Sequence, residues 1–154
     1  MGGRLKARAA PRLGLGARPP AARLLGRQVT RTNRRTGEVW LRFRSQASFL
    51  NRHGSVQGGL LAAMLDSTLG CTAMASLRAE ESIVTLEMKV AFLRPAPPGT
   101  IRARGRLLQR GRSILFVEGD LRDPEGNTLA RASATLRVVP TANGRGRERL
   151  PQTG

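Results

Sequence analysis

One segment of the sequence, from Gln57 to Leu77, has the periodicity of a long helix and is apolar on most of its circumference. Leucine, methionine and threonine recur at three- and four-residue intervals, and alanine and glycine fill most of the other positions. A helix with so little polar surface is buried on most of its sides. The rest of the chain therefore has to supply a surface that wraps around this one helix.

Strand patterns supply that surface. Polar and apolar residues alternate in each pattern, and the strand patterns after the helix are separated by turns rich in Pro or Gly. The strand patterns cover residues 29–44 before the helix, with a turn at Thr36-Gly37, and residues 82–92, 101–107, 113–122 and 128–139 after it. One face of the second pattern is predicted to contain Val84, Leu86, Met88, Val90 and Phe92. Because short connections favour a meander, we expect an α+β domain in which a curled antiparallel sheet of about five to six strands surrounds the helix.

The charge of the chain is unevenly distributed. The net charge is +17, and residues 1–37 contain ten Lys or Arg and no acid. Prolines interrupt residues 1–28, so we expect a disordered basic tail there, a folded domain at 29–139 and a second disordered tail at 140–154. The positive excess either attracts an anionic partner or reflects a compositional bias towards Arg. With only 3% aromatic residues, few rings can stack on bases, which disfavours nucleic acid as the partner.

The chain has one cysteine, Cys71, and one histidine, His53. A single cysteine cannot form an intrachain disulfide, so a reducing, cytoplasmic location is expected. We expect no metal site, because one Cys and one His are too few for a cluster of metal ligands, and no cofactor. Cys71 is expected to be a small core residue and His53 to be solvated. No run approaches the ~18 apolar residues that a membrane span needs, so no membrane partner is expected.

The stretch from Asn51 to Asp66 combines two features of an active site. Gly58 and Gly59 open the long helix, and a glycine-rich helix start presents free backbone N–H groups and the positive end of the helix dipole. These groups attract negative charge that develops on an oxygen during a reaction. Asp66 is an isolated acid in an apolar helix, where it must be paired, solvated or functional. Capping by a neighbouring hydroxyl is its structural alternative.

A longer set of residues resembles a known family. The set contains Asn51, Gly54, Gln57, Gly58, Gly59 and Asp66, and then Thr85-x-Glu87-Met88-x-Val90-x-Phe92-Leu93-Arg94-Pro95-Ala96. Over roughly residues 28–139 the chain resembles the hotdog-fold acyl-CoA thioesterases of the PaaI (phenylacetate-degradation) type. The resemblance implies a hotdog fold and hydrolysis of an acyl- or aryl-acyl-CoA to the free acid and CoA, with CoA as part of the substrate. Gln57 stands where the family usually has histidine.

The resemblance also implies catalytic roles for four residues. Asp66 would be the general base that takes a proton from water, with a nucleophilic role as the alternative. The N–H of Gly58 and the side-chain amide of Asn51 would polarise the thioester carbonyl, or the Asn51 amide would instead orient the nucleophile. Thr85 would help to hold the water with its hydroxyl.

Substrate contacts are implied for a second group of residues. These are Gln57, Gly59, Arg94, Met64 and Leu65. Arg94 is a candidate for binding the phosphates of CoA, as are Arg52, Arg102 and Arg104, although a solvated strand face has the same composition. Met64 and Leu65 would line an acyl tunnel, although core side chains of the helix have the same spacing.

The separation of Gly58 and Asp66 predicts a second subunit. The two residues are eight positions apart, which is about 12 Å along a straight helix, too far for both to act on one reacting centre. The resemblance implies that Asn51 and Gly58 of one subunit meet Asp66 and Thr85 of another, in a homodimer that can pair into a dimer of dimers. The alternatives are a non-catalytic acyl-CoA-binding hotdog protein and a basic nucleic-acid-binding protein.

Overall fold

The structure is a computed structural model that describes residues 18–141. Within these residues, six antiparallel strands form one sheet and a long helix packs against it. In chain order the elements are α1 (Pro20–Leu24), β1 (Gln28–Asn33), β2 (Glu38–Ser45), a 3-10 turn (Ala47–Phe49), α2 (Gly58–Met74), β3 (Glu81–Phe92), β4 (Gly99–Arg110), β5 (Ile114–Arg122) and β6 (Thr128–Pro140). The predicted α+β architecture is confirmed.

The strand order differs from a simple meander. The order across the sheet is β1-β2-β4-β5-β6-β3, so β3 pairs with β6 at one edge and β4 pairs with β2. The expectation that consecutive strands are neighbours is therefore wrong between β3 and β4. Three prolines lie in the connection at residues 93–98. Because proline lacks the N–H that a tight antiparallel hairpin uses, this connection suits a crossing from the edge to the interior of the sheet.

Helix α2 packs with one side on the sheet. The side chains that it buries are Leu61, Met64, Leu65, Thr68, Leu69, Cys71, Thr72 and Ala73. On its opposite side Gly59 and Asp66 are exposed and the other residues are half-buried, so the expected burial on most sides is only partial in the single chain. A Cβ at Gly105 of β4 would stand 1.9 Å from Oγ1 of Thr72, so the glycine allows the close approach of helix and sheet. Neither helix in the described part of the chain is long and apolar enough to cross a membrane.

A bulge in β3 changes the face on which its side chains lie. The pairing with β6 shifts between Thr85 and Glu87, which leaves Leu86 without a partner of its own. Before the bulge Thr85 points towards α2, whereas after it the even-numbered Met88 packs against the core. The prediction that Val84, Leu86, Met88, Val90 and Phe92 share one apolar face is therefore wrong for Val84 and Leu86, which are exposed and do not lie on the core face with Met88.

The residues just before β1 belong to the folded structure. Helix α1 begins at Pro20, and Leu25 joins the core. The expectation of a disordered tail over residues 1–28 is therefore wrong from Pro20 onwards. Proline is tolerated there because the first helical residue has no intrahelical acceptor for an N–H in any case. The rest of the two predicted tails, residues 1–17 and 142–154, lies outside the described residues.

Candidate active site

Asp66 and Thr85 come together from two different elements. Asp66 lies on the exposed side of α2, and Thr85 lies on β3 immediately before the bulge. The hydroxyl of Thr85 donates a hydrogen bond of 3.0 Å to Oδ1 of Asp66. Within residues 18–141 no group donates to Oδ2 of Asp66, which leaves this oxygen open to solvent. The structure thus brings together two of the predicted site residues, and their chemical roles stay predictions.

Asn51 organises the loop that leads into α2. Its Oδ1 accepts hydrogen bonds from the backbone N–H groups of His53, at 2.9 Å, and Ser55, at 3.3 Å. Its Nδ2 donates to Oγ of Ser55 at 3.1 Å, and its backbone carbonyl accepts from the N–H of Gly54. The left-handed backbone of Gly54, with φ of 76°, closes the same turn. One N–H of the Asn51 amide remains outside these bonds, so the loop-forming role leaves one donor for the predicted contact with a carbonyl.

The start of α2 presents unpaired backbone donors. Gln57 is the N-cap, and its exposed side chain makes no hydrogen bond to the described residues. The N–H groups of Gly58 and Gly59 likewise have no acceptor between residues 18 and 141. A Cβ on Gly58 would stand 3.4 Å from the ring of Phe92, whereas a Cβ on Gly59 would meet nothing within 4 Å. A side chain at position 58 would therefore contact the Phe92 ring, and one at position 59 would enter open space.

The end of β3 places Phe92 and Arg94 beside this helix start. Phe92 is 54% exposed, although the strand pattern alone predicts a core residue. Its contact with Gly58 is not apparent from the sequence, where the only signal is its place in the Phe-Leu-Arg-Pro motif. Nη1 of Arg94 donates to the carbonyl of Thr128 at 2.9 Å, which ties the end of β3 to the start of β6. The predicted contact of Arg94 with a substrate phosphate stays a prediction.

Met64 and Leu65 belong to the core. Both are 0% exposed and lie on the side of α2 that packs on the sheet. The prediction that they line an acyl tunnel is corrected, because a side chain without accessible surface cannot contact a substrate. Helical periodicity does not separate the two roles, since core and tunnel side chains are both apolar.

The other arginines considered for CoA do not share one location. Arg102 and Arg104 alternate along β4 with buried residues and point to the outer face of the sheet, away from α2. They are therefore on the opposite side of the sheet from Asp66, as the interpretation of a solvated strand face predicts. Arg52 lies in the exposed loop after Asn51.

Cys71 is a buried residue of α2 and a poor candidate for a nucleophile. Burial raises the pKa of the Cys71 thiol, and the nearby guanidinium of Arg27 opposes this with a smaller effect. Nη1 of Arg27 also donates to Oγ of Ser67 at 3.0 Å, so the arginine lies along the helix. A protonated thiol without solvent access reacts slowly. The prediction of a small core residue is confirmed.

The arrangement places two kinds of chemical group at separate points of α2. The first kind is the free N–H groups at the helix start, which can bind a developing oxyanion. The second is the Asp66 carboxylate, held by Thr85, which can accept a proton. Because Gly58 and Asp66 lie in one continuous helix, they are about 12 Å apart along its axis.

Comparison with known proteins identifies one family. A family model described as the thioesterase superfamily matches residues 53–130. A protein from Saccharolobus solfataricus, named provisionally as an esterase, is 30% identical over 93 residues, which are 60% of this chain and 66% of the relative. The chain thus spans slightly less than two thirds of the length of this relative.

Solved structures share the fold. A protein from Ralstonia eutropha JMP134, described provisionally as a thioesterase related to phenylacetic acid degradation, is 38% identical, with a TM-score of 0.75 over 79% of this chain and 92% of that one. The PaaI protein from the E. coli phenylacetic acid degradation operon is 20% identical, with a TM-score of 0.72 over 79% and 85% of the two chains, and supports the fold alone. The predicted hotdog fold and the resemblance to PaaI-type proteins are confirmed.

Proposed function

Because this chain belongs to the thioesterase superfamily, we propose that it hydrolyses the thioester of an acyl- or aryl-acyl-CoA to the free acid and CoA. The family confirms the prediction of a hydrolase. The CoA substrate is our proposal, based on the resemblance of residues 51–66 and 85–96 to acyl-CoA thioesterases. The observation that supports it most directly is the 3.0 Å hydrogen bond from Thr85 to Asp66, because it fixes a carboxylate that is otherwise exposed.

In the proposed mechanism, Asp66 accepts a proton from a water molecule that attacks the thioester carbon. Thr85 holds one carboxylate oxygen, so the other oxygen is directed at the water. The negative charge that develops on the carbonyl oxygen is bound by the N–H of Gly58 and by the remaining N–H of the Asn51 amide. The tetrahedral intermediate then expels CoA as a thiolate, which takes up the proton. The exposed ring of Phe92 is in position to contact the acyl group beside the carbonyl.

We propose that the complete site forms between two copies of the chain. Gly58 and Asp66 of one chain are about 12 Å apart, so each needs its counterpart from another copy. The exposed edge of β3 supports this arrangement, because Thr85 lies on that edge strand. A homodimer is the minimum assembly, and a dimer of dimers is compatible with it.

The proposal requires no cofactor or metal ion, because carboxylate and N–H groups suffice for hydrolysis of a thioester. We propose a cytoplasmic location, since the free, buried Cys71 thiol suits a reducing compartment.

The test measures thiol release from a panel of short-chain, long-chain and aryl-acyl-CoA substrates. We expect turnover by the wild type and a loss of kcat of about 10²–10⁴ in Asp66→Asn, because the amide cannot accept the proton. Thr85→Ala should lower kcat by about tenfold, the effect of one lost hydrogen bond. Glu125→Gln makes the same change from carboxylate to amide in an exposed turn and should behave like the wild type.

Equal turnover by the wild type and Asp66→Asn would remove Asp66 from the mechanism. No turnover of any substrate, combined with saturable binding of an acyl-CoA, would instead support a non-catalytic acyl-CoA-binding protein.

A further inference from the structure

The outer face of the sheet has a hollow that the proposed thioesterase site does not use. On β4, a Cβ at Gly105 would meet Thr72 of α2, so Gly105 points inwards. Its neighbours Arg104 and Arg106 are exposed and therefore point outwards, away from the helix. Asp66 and Thr85 lie on the helix side of the sheet. The outer hollow and the Asp66–Thr85 pair are thus on opposite faces.

Two rows of cross-strand neighbours form the hollow. The first row runs from Arg104 through Asp120 and Arg131 to Ala91, and the second row runs from Arg106 through Glu118 and Ser133 to Lys89. Side chains directly opposite each other on neighbouring strands are about 5 Å apart at Cβ, so each row is continuous.

Small side chains leave space between the long ones. Ala91 and Ser133 occupy outward positions where the neighbouring residues are arginine or lysine. The hollow has a volume of about 540 Å³, within the range of about 300–1,000 Å³ that small-molecule sites span. Its walls are side chains of β3, β4, β5 and β6.

The charge of the hollow is strongly positive. Its cationic side chains are Lys89, Arg104, Arg106, Arg122 and Arg131, against the carboxylates of Glu118 and Asp120. Arg106 is paired with Glu118, and Arg122 is paired with Asp120, while Arg104 pairs with Glu38 outside the hollow. Arg131 and Lys89 make no ion pair or hydrogen bond with any residue in the range 18–141. These two cations are available to a ligand, and the paired arginines keep N–H groups that can also donate.

We propose that this hollow is a second binding site, for a small polyanion with two or more phosphate groups, such as inorganic pyrophosphate or a nucleoside diphosphate. Guanidinium groups match phosphate oxygens with two parallel hydrogen bonds, and several cations around one space favour a ligand of high charge density. A nucleic acid fits less well, because stacking on bases needs free rings. Two rings lie on this face in the described part of the chain, and neither lines the hollow. Trp40 is covered by the guanidinium of Arg31 at 4.3 Å from its centre, with Arg104 at 5.7 Å, and Phe116 is exposed further along β5.

The test measures pyrophosphate binding to the full-length protein by isothermal titration calorimetry at low ionic strength. We expect the double variant Arg131→Ala/Lys89→Ala to bind at least about tenfold more weakly, because it removes both free cations. Arg112→Ala, an exposed arginine in the turn between β4 and β5, is the control and should bind like the wild type. Affinity should fall steeply with added salt. Equal affinity of the wild type and the double variant would overturn the proposal.

Two further measurements distinguish a separate phosphate site from an extension of the thioesterase site and from a nucleic-acid site. The kcat and KM for the best acyl-CoA should be unchanged in the double variant; a raised KM would make the hollow part of the substrate site and overturn the assignment of a separate site. ADP should bind about as tightly as pyrophosphate. If a single-stranded oligonucleotide binds more tightly than either ligand, and the double variant weakens that binding, the hollow is a nucleic-acid site and the proposal is overturned. Because pyrophosphate binding is measured directly, its result does not depend on whether the protein hydrolyses an acyl-CoA.

Discussion

Gly58 is the residue where a small substitution tests the proposed oxyanion contact. A side chain there would lie 3.4 Å from the Phe92 ring, an ordinary contact that permits folding. In the proposed mechanism the same side chain would hinder the approach of the thioester carbonyl to the N–H. We expect Gly58→Ala to remain folded and to lose about 10² in kcat, the typical effect of one lost oxyanion donor. The measurement is steady-state hydrolysis of the best acyl-CoA, with thermal unfolding recorded in parallel.

Gly70 provides the matched control in the same helix. A Cβ at Gly70 would approach only Ile83, at 4.0 Å, so Ala fits without strain. Gly70→Ala should retain activity and gain about 0.5–1 kcal/mol, because alanine stabilises a helix interior relative to glycine. Because alanine keeps the backbone N–H, wild-type turnover by Gly58→Ala would show that a side chain at this position does not obstruct the carbonyl oxygen.

Cys71 should make stability depend on pH in the alkaline range. Burial raises the pKa of its thiol in the folded state above that in the unfolded chain, about 8.5. The protonated, buried thiol therefore contributes its full stabilisation at pH values below the thiol pKa of the unfolded chain. This contribution is lost as the pH rises through the thiol pKa of the folded state. Between pH 7.5 and pH 9.5, urea unfolding should show the wild type losing about 1 kcal/mol more than Cys71→Ala. Parallel losses in both proteins would show that the Cys71 thiol does not cause the pH dependence.

At the residue scale, the sequence was informative where spacing and chemistry agreed. Asp66 and Thr85 could be paired from the motif, and the hydrogen bond between them agrees. Met64 and Leu65 could not be assigned, because an apolar residue at helical spacing has the same pattern whether it faces a substrate or the core. The loop-forming bonds of Asn51 were equally hidden, since they depend on a backbone turn and not on residue type.

Among the elements, the contact between α2 and the sheet depends on the absence of a side chain at Gly105. An alanine Cβ would overlap Oγ1 of Thr72 at 1.9 Å and would also press on Thr72 Cβ at 3.1 Å. We expect Gly105→Ala to lower the free energy of unfolding by about 1–3 kcal/mol, the usual cost of overpacking. Chemical denaturation with far-UV circular dichroism provides the measurement.

The double variant Gly105→Ala/Thr72→Ala tests the cause of that loss. Removal of the Thr72 hydroxyl relieves the closest overlap. The Thr68 carbonyl, which accepts a hydrogen bond from this hydroxyl, can still accept the backbone hydrogen bond of the helix. The double variant should therefore be more stable than the sum of the two single changes predicts. Additive losses would indicate that the strain arises elsewhere, for example at the β4 backbone.

The strands could be predicted one by one, but their order could not. Alternation reveals which residues of a strand share a face, and it correctly indicated strands β2 to β6. The choice of neighbour depends on the sheet as a whole, so β3 at the far edge contradicts the simple meander. The bulge at Leu86 also could not be predicted, because Val84, Leu86, Met88 and Phe92 alternate regularly in the sequence. In the structure the pairing register shifts at Leu86, so side chains before and after it with the same spacing lie on opposite faces.

On the scale of the whole molecule, a single chain leaves an apolar edge unprotected. β3 is an edge strand, and Val84 and Leu86 on it are exposed. Such an edge pairs readily with another strand unless charge or proline protects it. Thr85 lies between these two residues, so a partner strand along β3 would arrive next to the Asp66–Thr85 pair. The exposed edge and the incomplete site therefore support the same proposed assembly.

Mixing two inactive variants tests the shared site. We expect Asn51→Ala and Asp66→Ala each to be inactive, because each removes one half of both sites of a homodimer. After subunit exchange, half of the dimers contain one chain of each kind, and each of these has one site with both defects and one intact site. Activity should thus return to about a quarter of the wild-type value. The altered loop of Asn51→Ala does not matter in the mixed dimer, because it belongs to the defective site. Exchange is followed with differently tagged chains, and inactivity in a sample with proven mixed dimers would place the two halves of the site within one chain.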